Sequence, residues 1–254
     1  MFAILEKTAV IWELELRKMR HDQTDLLIRA IQPVLWLTIF GSVFRQFREL
    51  PLGEVSYLSF ITPGVLAQSV LFIAIFTGVS LVWERDLGQL DRLLAAPAPR
   101  TSIVLGKAFS GGVKGLFQAG VIFAIAFVMG VDLIYNPIYV LAVIGVVFTF
   151  GVCFSSMSIF VTTLLNTRER VMGMMQLLTM PLFFASNALY PIEIMPRWLQ
   201  IVSIINPMSY VVEALRALMI TGDLSRLPIA LGGMAIATFV FIGAAALAFR
   251  RVGR

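Results

Sequence analysis

The sequence predicts an all-α membrane protein with six transmembrane helices, on three observations. Of 254 residues, 59% are hydrophobic and only 14% charged, with mean hydropathy +0.89; an ordinary water-soluble domain is about 25% charged. Apolar runs long enough to cross a bilayer recur six times. The basic residues gather at the ends of those runs. That is the pattern of membrane topology, and it argues against nucleic-acid binding despite a net charge of +5 and a pI near 9.7. The expected layout is one membrane domain over residues 1–254. It comprises an N-terminal amphipathic interfacial helix (within 1–25), six spans, a short cytosolic amphipathic helix between spans 2 and 3, and a re-entrant helical hairpin (190–226) between spans 5 and 6.

The elements follow in order. In residues 2–21, Phe2, Leu5, Ala9, Trp12 and Leu16 form one helical face, and Glu6, Lys7, Glu13, Arg17 and Arg20 another. A helix lying along the bilayer with Trp12 at headgroup depth fits that pattern; the alternative is a solvated helix docked on the rest of the protein. His21 falls at its end, with no second histidine to work with. No cleavable leader is expected, because a charged segment follows the first residues. The first span is 26–44, where Pro33 predicts a kink. A polar loop, 45–56, carries Pro51 and Gly53, and the second span is 57–82 with Pro63 and Gly64 near its start.

Residues 83–100, WERDLGQLDRLLAAPAPR, are the most charged stretch between two long apolar runs. Leu87, Leu90, Leu93 and Leu94 have helical spacing, and Glu84, Arg85, Asp86, Asp91 and Arg92 cover most of the remaining surface. Pro97 and Pro99 end the helix. Beyond it, Lys107 and Lys114 pose a problem, since a lysine at the bilayer centre costs about 3 kcal/mol. The hydrocarbon region of the third span is therefore placed at 115–131, with 101–114 as an extension whose lysines snorkel. A lysine lining a polar cavity that reads an anionic substrate is the alternative. Ser110, Gly111, Gly112 and Gly115, and in the fourth span (138–165) Gly151, Ser155, Ser156 and Ser158, suit close helix contacts. The lone Cys153 is expected to be a small packing residue. The fifth span, 171–189, contains Pro181.

Residues 190–226 are too polar to span and too apolar for an ordinary loop. Residues 198–205 form one short helix, and Asn206-Pro207 starts another, ended by Gly222. Glu213 and Arg216 are spaced to pair on it. The last span is 227–249. With six spans, fifteen basic residues, including Arg29, Arg250, Arg251 and Arg254, fall on the side of both termini and of segment 83–100; five (Arg45, Arg48, Arg197, Arg216, Arg226) fall opposite. The first side is therefore cytosolic.

No chemistry of the chain's own is visible. Gly106-Lys107 lacks the rest of a phosphate loop, because Thr101 stands where glycine is needed and Ala108 follows the lysine. There is no HExxH, no GxSxG and no Cys/His cluster, so the chain is expected to be no enzyme and to hold no metal.

Two stretches resemble the permeases of type-2 ATP-binding-cassette exporters. The first is Glu84-Arg85-Asp86-Leu87-Gly88-Gln89-Leu90-Asp91-Arg92-Leu93-Leu94, with Pro97, Arg100 and Gly106-Lys107. The second is Pro181 to Phe184, then Asn187-Ala188-Leu189-Tyr190-Pro191, Pro196, Trp198-Leu199, Asn206-Pro207, Tyr210, Glu213 and Arg216. Gln89, Asp91 and Asn187 depart from the usual Thr, Glu and Ser or Gly. The resemblance implies an inner-membrane permease with cytosolic termini, paired with a second copy or a paralogue and with two cytosolic ATPase subunits that carry the ATP and magnesium. Glu84 to Leu94 would be the coupling helix docked on the ATPase. Leu90 and Leu93 would anchor its face, with Glu84, Arg85 and Asp91 at the rim. Tyr190, Pro191, Trp198, Asn206, Pro207, Tyr210, Glu213 and Arg216 would shape an outward lid or dimer contact. The implied function is export of a hydrophobic or amphipathic drug or lipid, with lipid-linked polysaccharide as the alternative cargo. A stand-alone channel or proton-coupled carrier would place ionisable relays at the bilayer centre, and these spans are poor in them. A membrane scaffold could use the same docking helix.

Overall fold

The computed structural model describes residues 2–21, 23–44, 56–165, 167–225 and 227–250. The loop expected at 45–56, except Ser56, lies outside them, as do Asn166, Arg226, Arg251 and Arg254. The described residues are helical and contain no strand. The helices are α1 (Phe2–His21), α2 (Gln23–Phe44), α3 (Tyr57–Asp86), α4 (Gln89–Ala95), α5 (Arg100–Val128), α6 (Pro137–Leu164), α7 (Arg168–Phe184), α8 (Arg197–Ile205), α9 (Pro207–Arg216) and α10 (Leu227–Phe249). Four of them, α3, α5, α6 and α10, are long and apolar enough to cross a membrane, and α8 with α9 makes a fifth if that bent pair is one span. The other two expected spans are weaker in composition and length. α2 carries Gln23, Asp25, Arg29 and Gln32 near its start, and α7 has 17 residues and stops five short of the expected 189.

α3 is apolar all round and buried along nearly its whole length, as a helix at the centre of a bundle must be. α5 and α6 flank it, and α10 packs on α6. The small residues expected at helix contacts make these crossings. A Cβ on Gly111 would lie 1.8 Å from Ser155 Oγ, and one on Gly151 would lie 2.8 Å from the Gly112 Cα. Ser155 Oγ donates to the Ala74 carbonyl at 3.2 Å and Ser158 Oγ to that of Ile75 at 2.7 Å, so both serines tie α6 to α3. Cys153 is a buried packing residue with its thiol free.

The outer surface is strongly apolar. Ile31, Leu35 and Ile39 on α2, Leu141 on α6, and Ile236 and Phe239 on α10 all stand exposed. A surface of that kind calls for lipid or a partner.

The face of α1 that packs on α5 is Ile4, Thr8, Ile11 and Glu15, one residue round the helix from the apolar face expected to lie along the bilayer. Leu5 and Ala9 are exposed, and Trp12 at the edge is half-buried against Phe109 of α5, ring centroids 6.4 Å apart. Gly106 lets Ile11 seat against the α5 backbone, and Glu15 has its partners inside the bundle. One expectation is corrected: residues 83–100 are not one helix. α3 runs through Glu84 and Arg85 to Asp86, the chain turns at Gly88 (φ +66°), and only the seven residues of α4 follow. Gly88 is the residue that can adopt that left-handed conformation without strain.

Candidate functional site

The site lies at the end of the bundle that carries α4. Lys107 of α5 was expected to snorkel, yet it is 1% exposed and sits between two carboxylates. Its Nζ is 3.1 Å from Glu15 of α1 and 2.5 Å from Glu84 of α3. Lys18 of α1 bonds the same two carboxylates at 3.0 and 2.9 Å. Two lysines and two glutamates thus close a ring that joins α1, α3 and α5. The four charges sum to zero, and two of the three Lys107 N–H donors are taken by carboxylates, so this lysine lines no open cavity. Lys114 stands nearby and adds its charge to the field at Glu15.

Burial alone would push the Glu15 carboxyl up. Lys107, Lys114 and Lys18 outweigh it and bring it down to about 2, against 4.5 for a free glutamate. Lys18 is likewise pulled down by burial but held above its ordinary value by Glu15 and Glu84. The depressed glutamate contributes stability that is complete above its unfolded pKa of 4.5 and is lost as pH falls through about 2. The expected result is a thermal midpoint that holds steady at neutral pH and drops in acid. Glu15→Gln should flatten that acid limb, measured by light-scattering onset in detergent.

A second apolar cluster lies beside the ring. Leu90 of α4 is 2% exposed and packs with Ile11, Leu81, Ile103 and Phe249, and Leu93 and Leu94 lean on the same cluster. Two placements therefore change. Leu90 faces its own bundle and cannot be an anchor for a partner, and Glu84 is a buried member of the ring and not a rim residue. The outward face of this elbow is Asp86, Leu87 (68% exposed), Gln89, Asp91 and Arg92, with Arg85 and Gly88 half-buried. Neighbouring helices are fastened to it. Arg168 at the start of α7 pairs with Asp86 at 2.6 Å, and Arg100 donates to the Arg250 carbonyl at 2.7 Å. The ring was missed in the sequence because Glu15 and Lys18 look like ordinary surface charges on an amphipathic helix. The available signal was Glu15 in register with Ile4, Thr8 and Ile11.

At the opposite end, α8 and α9 meet at 83°. Asn206 makes the corner: its Oδ1 accepts from the Met208 N–H at 3.0 Å, and its Nδ2 donates to the Leu182 carbonyl at 2.7 Å. Pro207 fills the first helical position, and a π-helical turn, Ala217–Thr221, carries α9 to Gly222 (φ +69°). Tyr210 donates to the Ile204 carbonyl and Tyr190 to that of Phe184. Arg216 donates to the Asn187 carbonyl at 2.8 Å and lies 4.0 Å over the Phe60 ring. With Pro191, Glu193 and Glu213 it lines an open cleft of about 510 Å³. Trp198 is 67% exposed on α8.

An apolar helical bundle with four or five candidate spans, a short elbow helix near one end and a bent hairpin at the other is the architecture of a multi-pass membrane protein. The chain belongs to the ABC-2 type transporter family, whose profile matches residues 6–220. It is 33% identical over 222 residues to ycf38 of Cyanophora paradoxa, a transport permease by name, covering 85% of this chain and 75% of that one. It is 26% identical to the daunorubicin resistance ABC transporter permease DrrB1 of Streptomyces coeruleorubidus, over 79% of this chain and 70% of that one. It is 24% identical to the inner membrane transport permease YadH of Escherichia coli K12, over 81% and 80%. The chain is thus a multi-pass ABC transporter permease, and its family works with an ABC ATPase.

Proposed function

We propose that this permease is the translocation subunit of an exporter, driven by a separate ATPase subunit that carries the ATP and magnesium. In this reading two copies of the chain pair in the membrane, counting α2 and α7 as spans, and each docks one ATPase. Both termini, the ring and α4 face the cytosol, as the fifteen-to-five split of basic residues supports. Leu87 with Asp86, Asp91 and Arg92 forms the docking face. The exposed Leu5, Val10 and Leu14 of α1 rest against lipid. The α8–α9 hairpin serves as an outward lid or dimer contact.

The observation that carries this reading is the ring of Glu15, Lys18, Glu84 and Lys107. A docked partner pushes on the elbow, and the elbow is continuous with α3. The ring passes that push to α1 and α5 as one body, which biases a rigid-body rearrangement of the bundle. The cargo is a hydrophobic or amphipathic molecule, a drug or a lipid; a drug is in keeping with the name of DrrB1. The test is ATP hydrolysis by the permease co-purified with its ATPase in proteoliposomes. Hydrophobic drugs or phospholipid should raise the rate several-fold, and lipid-linked glycan should not. Transport by the permease with no ATPase present would overturn the reading.

A further inference from the structure

Between α2, α3 and α5 of a single protomer lies a cavity of about 60 Å³, room for roughly two waters. Gln32, Gln68, Ser69 and Gln118 bring polar groups to its wall, and Phe72 and Phe76 flank it. Gln68 lies eleven residues into α3 and Gln118 ten residues before the end of α5. At 1.5 Å per residue both stand about 15 Å from the hairpin ends of their helices. Gln118 is 1% exposed, and neither its amide oxygen nor its amide nitrogen has a partner among the described residues. Gln68 is 5% exposed. The Ser69 hydroxyl already donates to the Val65 carbonyl, leaving only its lone pairs to the cavity.

A buried amide without a partner, as at Gln118, is expensive inside an apolar bundle, and a polar group held there against the cost marks a function. Among the described residues the lining carries no charged side chain, which favours an uncharged occupant. A glutamine amide both donates and accepts, which suits a carbonyl or hydroxyl. Gln68, Phe72 and Phe76 repeat every four residues along one face of α3. A polar socket therefore continues into an aromatic strip.

We propose that this cavity is a subsite for an uncharged hydrogen-bonding group of a planar amphipathic substrate, whose apolar body lies along Phe72 and Phe76. The proposal rests on the exporter reading for its substrate and on the cavity for its chemistry. Its test uses the purified full-length permease and two probes with the same three-ring body: 9,10-anthraquinone, with two carbonyls, and anthracene, with none. Scintillation-proximity binding should show anthraquinone held about tenfold more tightly. In Gln118→Leu and Gln68→Leu the preference should shrink to about twofold or less, and the thermal midpoint of Gln118→Leu should equal or exceed that of the unmodified protein. A preference that survives both substitutions, or is absent from the start, overturns the subsite. So does a lowered midpoint in Gln118→Leu, which would mean that the amide is a structural group. ATP-driven uptake of anthraquinone by the permease–ATPase complex in inside-out vesicles is a separate arm. Its failure beside an intact carbonyl preference counts against the exporter reading and leaves the binding site standing.

Discussion

Lys107→Met should lower the stability of the protein by about 3–5 kcal/mol. The substitution conserves length and apolar volume, so the loss comes from charge. Glu15 and Glu84, both nearly buried, would be left facing each other with Lys18 as their shared cation. Removing one partner of a buried pair costs more than the pair contributes, because the other charge stays desolvated. The measurement is the thermal midpoint and the monodisperse fraction in detergent. The double variant Lys107→Met/Glu84→Gln removes a positive and a negative charge together and leaves Lys18 with Glu15. It should recover most of the loss, as a coupling between contacting residues requires. A double variant as damaged as the single would show that Lys107 supports the fold by packing and not through its charge.

Leu87→Asp and Leu90→Asp should act on different properties, the complex and the fold, though the two leucines are three residues apart. Leu90 is 2% exposed in a buried cluster with Ile11, Leu81, Ile103 and Phe249, and a carboxylate there would be buried without a partner. A destabilisation above about 4 kcal/mol is expected, and the protein should aggregate on extraction. Leu87 is 68% exposed, so its replacement should leave the midpoint unchanged. Its effect should appear in the complex, as loss of the co-purifying ATPase and of coupled hydrolysis, since an exposed apolar side chain ringed by charge is the usual centre of a docking contact. A Leu87→Asp permease that retains its ATPase at full occupancy would place the docking face elsewhere.

The pair also shows what the sequence could and could not convey. Helical spacing identified Leu87, Leu90, Leu93 and Leu94 as one apolar set, and three of the four do turn inward to some degree. Spacing gives a face but not the identity of what covers it. Leu90 was therefore assigned to a partner when its own bundle had the claim. The break at Gly88 was legible in principle, because glycine within a helical pattern invites a left-handed turn. It separates Leu87 from the others and leaves that leucine outside. The long spans were readable because they are apolar over their whole length. The ends of α6 and α10 fall within one residue of expectation, where Asn136-Pro137 caps the one and apolar sequence bounds the other. α7 runs three residues past Pro181 and ends at Phe184, where the chain turns at Ala185, five residues short of expectation. The ring at Lys107 was hidden for a different reason. Its four members come from positions 15, 18, 84 and 107, and no local pattern brings them together.

The glycine contacts between α5 and α6 bear on how the protein can move. Where Gly112 and Gly151 meet there is no clearance for a methyl group, and Ser155 and Ser158 lock the third helix to the pair. Surfaces meshed that tightly cannot slide past one another without first separating. α3, α5 and α6 should then move as one rigid body during a transport cycle, with the outer helices α2 and α7 shifting relative to it. Distances measured by paired spin labels within that body should stay constant through ATP binding, while those from it to α2 or α7 should change.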